Sequence, residues 1–557
     1  MTSETRKTAT ATGVDTSGTL AATKARGILF ALLLALASPG TAAAAGSPRL
    51  LDLRVDNGSR PFEGDRALLT TVSPNGDGFR DSAVVRFRAT EAGTVELDAL
   101  ATDTADAGVL SRRVVFRTRA RVRAGPGSLV WTPVRGTQPR TYLLRLTVTD
   151  AAGRGRVYGA YGPGGTQNAP AVRVQGVDAG FTRRSYAPGE NAEVEIACDA
   201  RSLRLQVFAY SRGAFPTSPR DALTSGLAMT GSVAVDWRAH RDAPALLRVV
   251  RTGDWPSGLY FLRVSTDDGR VGYAPFIVRP PRLGVHRVAV VLATNTWQAY
   301  NFEDADGNGW GDSWYVGGTN TVDLERPFLD FGVPFRFHDW DLAFIAWLNA
   351  TGRQVDFLSD DDLESAASGD ALAGAYDLIV FPGHEEYVTR HEYDVVQRYR
   401  DVGGNLLFLA ANNFFREVRR HGTTLTRGKL WRDLGRPEAA LVGVQYAGSN
   451  HGENQAGFVV RDASSWAFAG TSLSAGASFG RYGIEIDART TASPPGTQLL
   501  ASIPDVLGPG RNAEMTYYET PAGAKVFAAG ALNFAASLGD PVVARLMDNL
   551  WTRLSIP

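Results

Sequence analysis

The sequence predicts a multidomain protein in which two N-terminal β-sandwiches precede an α/β domain with a mainly parallel sheet. Three observations predict it. Alternating apolar and polar residues recur through the first half, as in Thr141–Asp150, Ala192–Ile196 and Leu203–Phe208, the pattern of half-buried strands. After Arg279-Pro280-Pro281, a stiff linker, short wholly apolar runs alternate with helically spaced ones, which is how parallel strands and their crossover helices read. A chain of 557 residues holds roughly three or four domains of ~150 residues. The divisions are a signal peptide and flexible start at 1–47, sandwiches at 48–168 and 171–282, and the α/β domain at 284–557.

At the N-terminus, Lys24 and Arg26 precede the apolar run Ile28–Ala37, and small residues around Ala43-Ala44-Ala45 follow. This resembles a secretory signal with a cleavage site, with uncleaved anchoring as the alternative, and the run is short for a membrane span. The expectation is a secreted or cell-surface protein with no span in the mature chain. Lys+Arg and Asp+Glu both number 58, so nothing favours nucleic acid as a partner. The expected partner is a small-molecule substrate or an extracellular ligand, and a homo-oligomer is compatible with the chain. Cys198 is the single cysteine. It excludes an intramolecular disulfide, and its alternating apolar setting reads as a structural thiol.

In the first sandwich, Ser73-Pro74-Asn75-Gly76-Asp77-Gly78 resembles the opening motif of Ig-like modules of secreted bacterial proteins. Asn75, Asp77 and Asp81 suit either calcium or a metal-free Asx/Gly turn.

In the α/β part, His286–Ala293, Gln354–Leu358, Leu378–Phe381 and Leu406–Ala410 read as strands. Asp341–Asn349, the segment around Tyr393–Arg400, and Asp540–Leu554 read as helices. Two strand ends carry polar residues at one sheet edge: His384-Glu385-Glu386 after Leu378–Phe381, and Asn412-Asn413 after Leu406–Ala410. Ligands of open α/β sheets bind at that edge. Each group also has a structural reading. His384 and Glu385 suit a cap of the following helix, Tyr300 suits a core, and Asn412-Asn413 suit a turn.

Thr296-Trp297-Gln298-Ala299-Tyr300-Asn301, Arg326-Pro327-Phe328, Gly383-His384-Glu385-Glu386-Tyr387, Gly403-Gly404-Asn405-Leu406, Asn412-Asn413-Phe414-Phe415 and Glu519-Thr520-Pro521-Ala522-Gly523 occur in that order. Together they resemble the C-terminal domain of the N,N-dimethylformamidase large (β) subunit family, and the likeness extends over about 171–557. The resemblance implies a class I glutamine-amidotransferase-like fold without its nucleophilic cysteine. It also implies a mononuclear iron site of two tyrosines and one glutamate. Carried over, these are Tyr300, Tyr315 and Glu386, with His384 as the base, Asn412 at the substrate and Glu519 as a further acid. The activity implied is hydrolysis of a small amide or other non-peptide C–N bond by metal-activated water. The alternative is a non-catalytic extracellular binding or surface protein.

Between the two tyrosines, Asp304, Asp306, Asn308 and Asp312 occupy positions 1, 3, 5 and 9 of a calcium-loop pattern, with Gly309 at position 6. Position 12 is Tyr315 rather than a bidentate glutamate, so weak calcium binding and a plain acidic turn both fit.

Overall fold

The computed structural model describes residues 47–557 apart from 107–108, 211–225, 316, 451–453 and 557. The signal-peptide expectation falls outside the described residues. The chain is multidomain and β-rich, with few helices.

Two sheets face each other in the first layer. One holds Leu50–Asp56, Ala83–Ala89 and Gly125–Trp131. The other runs Leu69–Val72, Ala171–Val174, Arg140–Thr149, Gly93–Asp106, Val109–Val122. Ala83–Ala89 alternates buried with less buried residues, as its apolar-polar pattern requires. Ala171–Val174, which the sequence assigns to the second sandwich, pairs instead with Leu69–Val72 and Arg140–Leu143. Its alternation alone does not say which sheet it joins. The second layer likewise encloses one core between Asp178–Phe181, Asn191–Ala197, Ala245–Arg251 and a sheet containing Ser202–Ala209, Gly258–Thr266 and Val271–Val278. Cys198 lies fully buried in it, and burial pushes its thiol up to about 12.

The C-terminal sheet has nine strands, and the expectation of a mainly parallel sheet fits only half of it. Asp356–Ser359, Val288–Leu292, Leu378–Phe381, Asn405–Phe408 and Lys525–Ala528 run parallel. Ala513–Glu519, Gln498–Ile503, Ala456–Val460 and Ser478–Tyr482 continue the sheet antiparallel. In the parallel half, Val290, Val380 and Leu407 face one core while Val291, Ile379 and Leu406 face the other. Both faces are covered, so these strands carry no polar alternation.

Helix Arg390–Asp401 begins with a capping box between Thr389 and Glu392, which satisfies two terminal N–H groups. Ala343–Thr351 is helical as the spacing predicts, and it is preceded by a π-helical turn at His338–Leu342.

Candidate active site

The sheet edge gathers side chains from separate segments. Tyr300 ends the short helix Thr294–Ala299 that follows strand Val288–Leu292. His384 and Glu386 follow Leu378–Phe381 through Pro382-Gly383. Asn412 follows Asn405–Phe408 with φ +58°, a left-handed conformation that asparagine tolerates better than most residues. Glu485 opens the strand Glu485–Ala488, which pairs with Gln445–Ser449.

The Tyr300 hydroxyl donates to Glu386 Oε2, and the Tyr387 phenol also engages both Glu386 and Tyr300. His384 Nε2 lies 3.6 Å from Glu386 Oε2 and 3.6 Å from Glu485 Oε2. Asn412 Nδ2 donates to Glu485 Oε2 at 2.9 Å, and the Asn412 backbone N–H donates to both Asp487 oxygens at 2.9 and 3.0 Å. Tyr300, His384, Glu386, Tyr387 and Asn412 are all buried.

Aromatic rings wall the cluster. Tyr315, Tyr387, Phe335 and Trp340 lie 5.4–6.1 Å from the Tyr300 ring, and Trp340 lies 5.0 Å from His384. Water is largely shut out, which explains the ionisation pattern. Burial pushes His384 down to about 3, so its imidazole is neutral. Burial pushes Glu386 up to about 7 despite the Tyr300 and Tyr387 hydrogen bonds. It also raises Tyr300 and, with the Glu386 charge, raises Glu485 well above their ordinary values.

Both His384 ring nitrogens and Asn412 Oδ1 are buried without a hydrogen-bond partner. Unpaired buried polar atoms are costly, and these three belong to residues of the cluster. Two phenols and a carboxylate are hard oxygen donors, a set that fits a Lewis-acidic ion such as Fe(III) better than zinc.

The structure thus brings Tyr300, His384, Glu386 and Asn412 together. Tyr315 stacks edge-on to Tyr300 from the rim and is only partly buried, whereas Tyr387 puts its phenol at the Glu386 carboxylate. Its position directly after Glu386 is the signal that sequence reading passed over. Glu519 stands elsewhere. It lies at the exposed end of Ala513–Glu519, ion-paired with Arg553 at 3.0 Å and hydrogen-bonded by Tyr517. The further acid at the cluster is Glu485. No motif surrounds it, and only the fold returns Glu485–Ala488 to Asn412.

The acidic loop is a separate place. Asp304, Asp306 and Asp312 each bring an oxygen within 4.8 Å of the others. Asp304 already accepts from the Asn308 and Gly309 backbone N–H groups, and Asp312 from Ala305. Trp310 inserts into the core of the first layer, and Thr102 and Tyr161 donate to the carbonyls of Gly309 and Asn308. At Asn75–Asp81, the Asp81 oxygens accept from Gly76 and Gly78 and Asp77 accepts from Phe79, the hydrogen bonding of a turn.

Residues 228–548 match the family model described as N,N-dimethylformamidase beta subunit-like, C-terminal. The chain belongs to that family. It is similar to the N,N-dimethylformamidase beta subunit of Paracoccus aminophilus, 24% identical over 402 residues, which are 53% of this chain and 52% of that protein. The beta subunit from an Alcaligenes species is 24% identical over 399 residues, with the same coverage. The chain therefore spans about half the length of the curated relatives it matches. Among solved structures, trypsin-activated alpha-2-macroglobulin from Escherichia coli aligns with 42% of this chain and 17% of its own, at 12% identity and TM-score 0.22, too low for a shared fold. The family match begins within the second layer and leaves the first outside it.

Proposed function

We propose that the protein is an exported iron-dependent hydrolase of small amides or related non-peptide C–N bonds. One observation carries the reading: Tyr300, Tyr387 and Glu386 converge on a buried point beside His384, Asn412 and Glu485, in a chain of the dimethylformamidase beta subunit-like family. Tyr300, Tyr387 and Glu386 would hold the ion, with Tyr315 as the alternative phenol. When bound, iron supplies Lewis acidity toward a carbonyl oxygen and water. Neutral His384, flanked by Glu386 and Glu485, accepts the proton of the attacking water and returns it to the departing amine. Asn412 orients the amide, and Glu485 holds the Asn412 side chain. The aromatic walls restrict the site to small, weakly polar substituents. In the same reading the first two layers are Ig-like and the parallel half-sheet is amidotransferase-like.

The test is amine release from a panel of N-alkyl formamides and acetamides by iron-loaded protein. His384→Gln should lower the rate about 100-fold, the scale of a lost proton carrier, and Glu485→Gln, which loosens the Asn412 side chain, should lower it less, both while keeping the iron. Unchanged hydrolysis by iron-free protein would refute the mechanism. Silence of iron-replete protein across the panel would refute the substrate class.

A second, weaker cation at Asp304, Asp306 and Asp312 is also proposed. Calcium fits the three carboxylates, and a calcium-dependent rise in melting temperature that is lost in Asp306→Asn tests it.

A further inference from the structure

The hydrolase reading uses nothing of the first layer. There, Val109–Val122 is the terminal strand of its sheet, and among the described residues it pairs only with Gly93–Asp106. Its residues alternate. Arg117, Arg119 and Arg121 are exposed on one face, and exposed Arg123 continues the row. Phe116, Ala120 and Val122 turn toward the core. Side chains on one face of a strand stand about 7 Å apart, so Arg117, Arg119 and Arg121 are evenly spaced along it.

The paired neighbour shows what such a row accepts. Asp98 stands opposite Arg117, and Glu96 opposite Arg119. Arg117 Nε is 2.6 Å from Asp98 Oδ1 and 3.5 Å from Glu96 Oε1, and Arg145 takes the other Asp98 oxygen at 2.6 Å. Both acidic residues of the neighbouring strand thus meet one arginine of the row, Arg117. Those two carboxylates are engaged by Arg117 and Arg145, and no ion pair is made by Arg119, Arg121 or Arg123 among the described residues. On the opposite side of the strand, the edge presents backbone N–H and C=O groups and has no partner strand among the described residues.

We infer that this edge docks an extended acidic polypeptide segment with Asp or Glu at every second residue, added to the sheet as a further strand. Two features favour a peptide. A strand has the same two-residue repeat as the arginine row, so the carboxylates stay in register along its length. It also uses the free backbone edge, which a polysaccharide, a nucleic acid or a bilayer leaves idle. The exposed row has no aromatic side chain on which bases would stack.

The experiment uses the full chain and labelled peptides of about ten residues, one alternating Glu with Thr, one of the same composition with the glutamates contiguous, read by fluorescence anisotropy. The alternating peptide should bind about 10-fold tighter or more, a difference of roughly 1.4 kcal/mol. Methylating its backbone amides, or combining R119Q, R121Q and R123Q, should each remove that advantage. These arginines are exposed, so an unchanged melting curve certifies the variant's fold. Equal binding of the two peptides, insensitivity to amide methylation, or displacement by heparin with no peptide preference would overturn the inference in favour of a plain anion patch. No binding at all would leave the row as a guard against edge pairing.

Discussion

Two oxygen-rich places, the acidic loop at 304–312 and the cluster to which nearby Tyr300 belongs, follow opposite logic. In the acidic loop, the carboxylates are answered by the loop's own backbone: Asn308 and Gly309 on Asp304, Ala305 on Asp312. At the sheet edge, the oxygens of Tyr300, Tyr387 and Glu386 meet one another, and the His384 nitrogens have no hydrogen-bond partner among the described residues. The loop's carboxylates are largely answered within the loop, whereas the cluster leaves His384 and Asn412 Oδ1 unanswered. Density of acidic residues is therefore a poor guide to a site. The better guide is whether buried polar atoms have been answered locally.

Several experiments would break or sharpen that contrast. The largest effect is expected at the cluster, where Glu386→Ala should reduce bound iron by about 10-fold or more, in line with the loss of a metal ligand's support. Elemental analysis checks this, and retention of iron would move the ion elsewhere. Next is Trp310→Ala, which empties the anchor in the first layer. It should cost about 3–5 kcal/mol in denaturant unfolding with iron content unchanged, separating an anchoring loop from a chemical cluster.

The third concerns pH. Burial pushes Asp487 up to about 7, above the ~3.9 of an unfolded aspartate. The folded protein therefore holds an extra proton between those values. The associated stability is fully present below about pH 4 and is lost as pH rises to about 7. Asp487→Asn keeps an acceptor for the Asn412 N–H and should flatten that part of the melting-temperature profile. The smallest effect is calcium at the loop. With no bidentate glutamate at position 12 and the Asp304 oxygens already engaged, saturating calcium should raise the melting temperature by only about 2 °C.

Much of the site was legible because it follows strand ends. Pro382-Gly383 closes an apolar run and exposes His384 and Glu386, and Asn412 closes the next, so the pattern itself placed both at one edge. Tyr387 was harder, since a tyrosine after two glutamates reads equally as the first residue of a strand, which it also is. Glu485 was invisible because its partner strand is Gln445–Ser449, and long-range pairing of short strands leaves no local periodicity. The same physics hid the outer antiparallel strands of the large sheet. Ala456–Val460 and Ser478–Tyr482 are five-residue strands with register shifts, whereas the doubly buried parallel strands announce themselves by unbroken apolar runs.

The placement of Lys525–Ala528 has a consequence for how the molecule comes into being. It is a late segment of the chain, yet it lies in the middle of the sheet, joining the parallel half to the antiparallel half. Until it emerges during synthesis, neither half has its neighbour. Consolidation of this sheet therefore waits for the last of its strands in sequence.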